Sequence, residues 1–172
     1  SNVVLENNGI LRAVGVVSPL GITERVVTIN GNIKNNSTST EGLSISYGGL
    51  KINGDYTGNN NSSISIDITS NLEVTGTFDN GNGKINVTYG TKSIPISNIY
   101  MTKDIVTAEL IKNTIPENIN TVSINNYFDF QNITVTDNKI SLDYKRNSTE
   151  YVVKSLGMTS HSAVNTALNL EN

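Results

Sequence analysis

Two short segments set the pattern of this chain. Gly49-Leu50-Lys51-Ile52-Asn53-Gly54-Asp55-Tyr56 and Asn71-Leu72-Glu73-Val74-Thr75-Gly76-Thr77-Phe78 each alternate apolar and polar side chains with a period of two. Both break at a glycine and end on an aromatic ring. Such alternation puts one row of side chains on a buried face and the other in solvent, as in a half-buried strand, and the glycine frees the backbone to turn. Further strands are predicted at residues 10–17, 25–29, 43–47, 64–68, 84–88, 94–96, 105–111, 122–124, 133–135 and 139–145, with the cores of the two opening motifs at 50–52 and 72–74. Short strands at this density mean an all-β fold.

The turns and the repeat point in different directions. Asn30-Gly31, Asn53-Gly54, Asn80-Gly81 and Asn82-Gly83 are each suited to a two-residue hairpin and so to an antiparallel sheet. The opening motif, however, returns after roughly 20–22 residues, the length of one turn of a stacked repeat. Asparagine suits the corners of such a stack, because it tolerates the left-handed region and its amides can bond to one another along the stack. The repeat therefore favours a right-handed parallel β-helix, a solenoid, over residues 1–147, with Ile, Val and Leu lining the interior. At about 4.8 Å per turn, roughly seven or eight turns would make a rod on the order of 35 Å long.

The pattern changes after Arg146. Asn147-Ser148-Thr149-Glu150 resembles a helix-capping box, and Gly157 is a stop. Ser160 or Ser162 is placed to cap a second helix with Val164, Ala167 and Leu168 on one face. Residues 148–172 are thus expected to form a short helical tail whose apolar face has barely begun when the chain reaches Asn172.

Composition narrows the function. Asparagine occurs 27 times and charged residues make up 16%, so amides, hydroxyls and glycine keep the surface soluble. There is no cysteine, which removes disulfides, thiolate metal sites and a cysteine nucleophile, and suits a chain that crosses a membrane unfolded. The net charge of -3, with only Arg12, Arg25 and Arg146 as arginines, argues against binding to nucleic acid. No apolar run is long enough for a membrane helix, and no secretion leader opens the chain, so an exported parent would carry this stretch internally.

With these residues in view, the chain resembles the C-terminal part of the passenger of a bacterial autotransporter. Val27-Thr28-Ile29-Asn30-Gly31-Asn32, Leu50-Lys51-Ile52-Asn53-Gly54-Asp55-Tyr56, Ser63-Ile64-Ser65-Ile66-Asp67-Ile68, Leu72-Glu73-Val74-Thr75-Gly76 and Gly83-Lys84-Ile85-Asn86-Val87 follow the order of strands in that family. Ile105-Val106-Thr107-Ala108 is similar to its strand ending in Leu-Thr-Ala, and residues 138–146 to its closing strand ending in arginine. Ser162-Ala163-Val164-Asn165-Thr166-Ala167-Leu168-Asn169 resembles the start of the helical linker to the barrel. The chain departs from the pattern in a terse segment between Ile68 and Leu72 and an insertion at residues 112–120. The resemblance implies a non-catalytic stalk of a type V secreted surface protein, with an autochaperone-like cap at about residues 93–147. It also implies an upstream effector, a serine protease of the subtilisin-like type, and anchoring to the outer membrane through a downstream barrel. The implied partners are the upstream passenger and that barrel. A rival reading is an adhesin or host-receptor module, binding a surface protein or glycan through the Asn/Thr-rich face.

Candidate chemistry is sparse. A catalytic triad needs histidine, and the only one, His161, lies in Ser160-His161-Ser162 and reads as an exposed linker residue. Asp55, Asp67, Glu73 and Asp143 are the carboxylates considered for acid and base roles, but there is no tryptophan to stack on a sugar. Tyr56, Phe78 and Tyr89 fall at strand ends, where filling or capping the core is their expected work. Asp79-Asn80-Gly81-Asn82-Gly83 is rich in oxygen ligands but lacks the further carboxylates of a calcium loop, and reads as a turn. No catalytic, cofactor-binding or metal-binding residue is assigned, and no cofactor is expected. The expected core of the C-terminal part is Ile105, Leu110, Ile124, Phe128, Phe130, Ile133, Val135, Ile140 and Leu142.

Overall fold

The computed structural model describes residues 3–89, 94–122, 127–157 and 161–170. The described strands are, in order, β1 (Val4–Asn7), β2 (Leu11–Val14), β3 (Val16–Ser18), β4 (Gly21–Thr23), β5 (Arg25–Asn30), β6 (Asn32–Asn35), β7 (Leu43–Ser46) and β8 (Gly48–Asn53). They continue as β9 (Tyr56–Thr57), β10 (Ser63–Asp67), β11 (Asn71–Asp79), β12 (Lys84–Thr88), β13 (Met101–Lys112), β14 (Ile119–Thr121), β15 (Phe128–Val135) and β16 (Lys139–Arg146). Two helices follow, α1 (Thr149–Ser155) and α2 (His161–Leu170).

These strands form three sheets. A mixed nine-stranded sheet follows the path β1-β6-β9-β11-β13-β16-β15, with β8 paired to β11 and β5 to β8. A five-stranded sheet, β14-β12-β10-β7-β2, is parallel throughout. The third is the β3–β4 hairpin. The opening motifs lie side by side, Leu50 beside Leu72 and Ile52 beside Val74 in parallel register.

The right-handed parallel β-helix expected over residues 1–147 is not what forms: the sheets are not arranged as one right-handed helix. Two features break the expected regularity. The step between neighbouring strands is 21 to 23 residues only in the middle of the chain, and Leu11 pairs with Leu43, while Leu72 pairs with Val106. At β13 the direction of pairing then reverses, because β13 is parallel to β11 on one side and antiparallel to β16 on the other, and β16 is antiparallel to β15. The three residues between β15 and β16 are too few for a crossover, so those strands can only meet as a hairpin.

Asn30-Gly31 and Asn53-Gly54 are not hairpins either. Each is a corner between two strands of the nine-stranded sheet, and Gly54 has φ +157 with its would-be Cβ driven into the Gly31 carbonyl oxygen. Stacked corners approach too closely for a side chain there. The predicted strand at 10–17 is interrupted at Gly15, and that at 94–96 reduces to a bridge between Ile96 and Arg146; of the one predicted at 122–124, Val122 follows the end of β14 and residues 123 and 124 lie outside the described residues.

Side chains pointing inward from the sheets make one continuous core. Leu43, Ile64, Ile85 and Ile119 form one row in register, and Leu50, Leu72, Val106 and Ile140 form another. Ile105, Phe128, Ile140 and Leu142 are buried as expected, whereas Phe130, Ile133 and Val135 on the edge strand β15 are only partly so. Leu110 is 38% exposed. A register shift between Val74 and Thr77 pairs Leu110 with outward-facing Thr77, which turns it from the core. Ile124 lies outside the described residues.

The tail is helical. Ser148 caps α1, its Oγ accepting from Tyr151 N at 3.1 Å, Glu150 pairs with Lys154 at 2.7 Å, and Val152 is buried. Gly157, at φ +79, ends it.

Candidate functional site

The four carboxylates considered for catalysis are separated by the fold. Asp55 lies at a corner and accepts from Thr77 N at 2.8 Å. Asp67 is buried at the end of β10, where it accepts from Tyr47 N at 3.0 Å, Thr69 N at 2.7 Å, the Thr69 hydroxyl and Ser70 Oγ at 3.1 Å. That carboxylate ties its own turn, Asp67–Ser70, to the backbone at Tyr47. Glu73 sits on β11 beside Lys51 and Thr107. Asp143 on β16 is half-buried and accepts from Thr102 Oγ1 at 2.7 Å and Asn132 Nδ2 at 2.9 Å. Those bonds, Asn132 foremost, hold its carboxyl below the usual aspartate range. No two of the four occupy facing register positions. Among the described residues no group of three His, Asp or Glu is placed to hold a metal ion. His161 opens α2, and its side chain lies outside the described residues.

Of the three rings expected to fill or cap the core, Tyr56 and Phe78 pack inside and Tyr89 stays 38% exposed. Tyr56 and Phe78 are fully buried and stack at 4.9 Å between centroids, and Tyr89, Phe128 and Phe130 form a second stack at 5.8 and 6.1 Å. The Asp79–Gly83 oxygens serve their own turn: Asp79 Oδ1 accepts from Gly81 N and Asn113 Nδ2, and Gly83 N donates to the Asn80 carbonyl.

A buried polar ladder was not located by sequence, although stacking of asparagines was foreseen. Asn7 pairs in register with Asn35, and its Nδ2 donates to Asn35 Oδ1 at 3.2 Å. Asn35 Nδ2 passes the chain on to the Tyr56 hydroxyl at 3.1 Å. The next position is Gly58, followed by Asn80. A Cβ at Gly58 would fall 2.7 Å from Ser62 Oγ and 2.8 Å from the Asn80 carbonyl, so no amide fits there. Asn80 Oδ1 is consequently buried with no hydrogen-bond partner among the described residues. Burial pushes the Tyr56 hydroxyl up to about 12, against the opposing hydrogen bonds of Asn35 and Ser62.

Two surfaces remain as candidates for recognition. Along the outer face of the five-stranded sheet, Arg12, Ser44, Ser65, Asn86 and Asn120 stand in one register row, with Asn120 Nδ2 bonded to Asn86 Oδ1 at 3.2 Å. At the N-terminal end the core rows are incompletely covered. Leu11, Val27 and Ile29 are only partly buried, while their neighbours Leu43, Leu50 and Ile52 are fully so. At the opposite end, in the β15–β16 hairpin, Phe128 is buried while Phe130, Ile133 and Val135 are likewise only partly so, and Arg146 Nη1 donates to the Ile94 carbonyl at 3.0 Å.

Comparison with protein-family models, curated proteins and solved structures finds no match to this chain.

Proposed function

We propose that the chain is a non-catalytic passenger segment of a type V secreted surface protein, supporting secretion and folding of an upstream effector, a serine protease. Residues 93–147 act as its autochaperone-like cap, and a downstream barrel anchors the parent in the outer membrane. The observation that supports this reading is the difference between the two ends: an antiparallel β15–β16 hairpin at the C-terminal end, and parallel-paired edge strands at the N-terminal end. A hairpin can fold first without a template, and a parallel edge offers each following strand a place to pair. Surface display tests it. Placed ahead of an autotransporter barrel in a bacterial host, the chain should reach the cell surface in a protease-resistant form, and Leu142→Ala should reduce that display severalfold. Display unaffected by Leu142→Ala would sink the reading.

The register row Arg12-Ser44-Ser65-Asn86-Asn120 favours a second reading, an adhesin that meets a host surface protein or glycan. The exposed aromatics that such a face would use are not in that row: Tyr89 and Tyr151 lie elsewhere.

A further inference from the structure

The hairpin of β15 and β16 is held on its outer face by a carboxylate. Among the described residues β15 pairs with β16 alone, and its side chains Phe130, Ile133 and Val135 are only partly buried against the core. The ladder breaks between Gln131 and Thr134, so that Asn132, at φ +53, and Ile133 stand opposite the single residue Leu142. Such a bulge bends the strand and weakens its pairing. Asp143 stands beside it, facing Thr102 of β13 on one side and Gln131 of β15 on the other. Its Oδ1 accepts from Thr102 Oγ1 at 2.7 Å and its Oδ2 from Asn132 Nδ2 at 2.9 Å. One side chain on the middle strand thus bonds to both neighbours. An ionised carboxylate accepts at both oxygens, and bonds to it are roughly twice as strong as neutral ones. Protonation turns one oxygen into a donor. The Thr102 hydroxyl can reverse and accept, whereas Asn132 Nδ2 can only donate and is left with a neutral acceptor. The bond to β15 is therefore the half that weakens.

We propose that Asp143 is an acid-released latch on β15: ionised, it holds the bulge and the edge strand against β16, and protonated, it lets β15 detach while β13 and β16 stay paired. The other charged groups around it have partners of their own or lie to one side. On the same face, Asp104 of β13 accepts from Ser141 Oγ, and Asp129 of β15 pairs with Lys145 at 3.9 Å. Lys145 Nζ also lies 5.1 Å from the centre of the Tyr100 ring. Lys139 faces Thr107, and Lys103, opposite Leu142 on the inner face, donates to the Thr69 carbonyl at 3.4 Å. Glu117, on the turn Pro116–Asn118 packed against β15, is exposed. The two neutral donors, Asn132 first and then Thr102, hold the Asp143 carboxyl below the usual aspartate range. The sign follows from that direction. What the latch contributes is fully present above the ordinary aspartate value and is lost as pH falls through the lowered one, so β15 stays fastened in mild acid and comes free in strong acid. Its release would uncover the outer edge of β16 and the Phe128–Phe130 stack.

Amide hydrogen exchange of the full chain tests this, with rates expressed as protection factors so that the intrinsic pH dependence drops out. Between about pH 5 and about pH 2 the amides that β15 bonds to β16 should lose about threefold or more in protection, while those joining β13 to β11 hold theirs. Asp143→Asn, which cannot ionise, should show the lowered β15 protection already at neutral pH and lose nothing further in acid. Asn132→Gly keeps a residue suited to the positive φ, removes the amide from the latch and should act the same way. Should Asp143→Asn fail to fold, Asn132→Gly decides alone. Asp129→Asn, which breaks the other ion pair of β15, should leave the acid step in place. Protection of β15 that persists to about pH 2, that falls only together with β13, or that is unaltered at neutral pH in Asp143→Asn and Asn132→Gly would each overturn the proposal.

Discussion

Tyr56 shows how one buried side chain couples the core to pH. Its ring stacks on Phe78 and its hydroxyl receives Asn35, and burial holds the folded-state value at about 12 against 10.0 for an exposed tyrosine. The folded state therefore binds this proton more tightly than the unfolded state does. Its contribution is fully present below pH 10 and is lost as pH rises through about 12. Urea melts across that range should show a steep alkaline loss of stability, and Tyr56→Phe should flatten it. At neutral pH the same variant should cost about 1–3 kcal/mol, because Asn35 Nδ2 loses a partner in the interior. The residue types here were legible in the sequence: an aromatic ring at a strand end reads as core, and stacked asparagines were foreseen. Which asparagines stack was not, since Asn7, Asn35 and Asn80 are separated by irregular intervals and Gly58 interrupts them. Nor did the alternation reveal that Asp67 would be a buried tie, because an acidic residue at the end of a strand looks the same whether it meets solvent or four donors.

At the scale of elements, alternation was sufficient to find strands and insufficient to orient them. The pairs Leu50/Leu72 and Ile52/Val74 emerge from the motif because its two copies lie one step of 22 residues apart. From β13 onward that step is gone, and a three-residue turn, which the sequence shows as Thr136-Asp137-Asn138, decides the antiparallel pairing of β15 and β16. Leu110 was misplaced for a similar reason, since a register shift on β11 moves it to the outer face without altering any local pattern. Leu142 on β16 is, by contrast, enclosed, and Leu142→Ala should cost about 2–5 kcal/mol in denaturant unfolding. Leu43→Ala is as buried a truncation, but lies toward the N-terminal end. Native-state hydrogen exchange should find β13 and β16 still protected in Leu43→Ala and exposed in Leu142→Ala. Greatest protection in residues 10–60 of the unaltered chain would remove the basis for an autochaperone-like C-terminal region.

For the whole molecule, the turns carry a further consequence. Asparagine followed by glycine is the sequence most prone to deamidation, in which the glycine nitrogen attacks the asparagine side-chain carbonyl, ammonia leaves, and hydrolysis of the cyclic imide yields aspartate or isoaspartate. Here the glycine nitrogens are occupied. Gly9 N donates to Asn7 Oδ1, Gly31 N to the Asn53 carbonyl, Gly54 N to Thr75 Oγ1, Gly81 N to Asp79 Oδ1 and Gly83 N to the Asn80 carbonyl. Hydrogen bonds that build the corners thus withhold the nucleophile from its own neighbour. Isoaspartate, measured by peptide mapping after storage at mildly alkaline pH, should form at these five sites far more slowly in the folded chain than in urea, and destabilising substitutions should raise it in proportion to the population unfolded. An asparagine-rich chain that ages chemically only when it opens would keep, in its isoaspartate content, a cumulative record of its own unfolding.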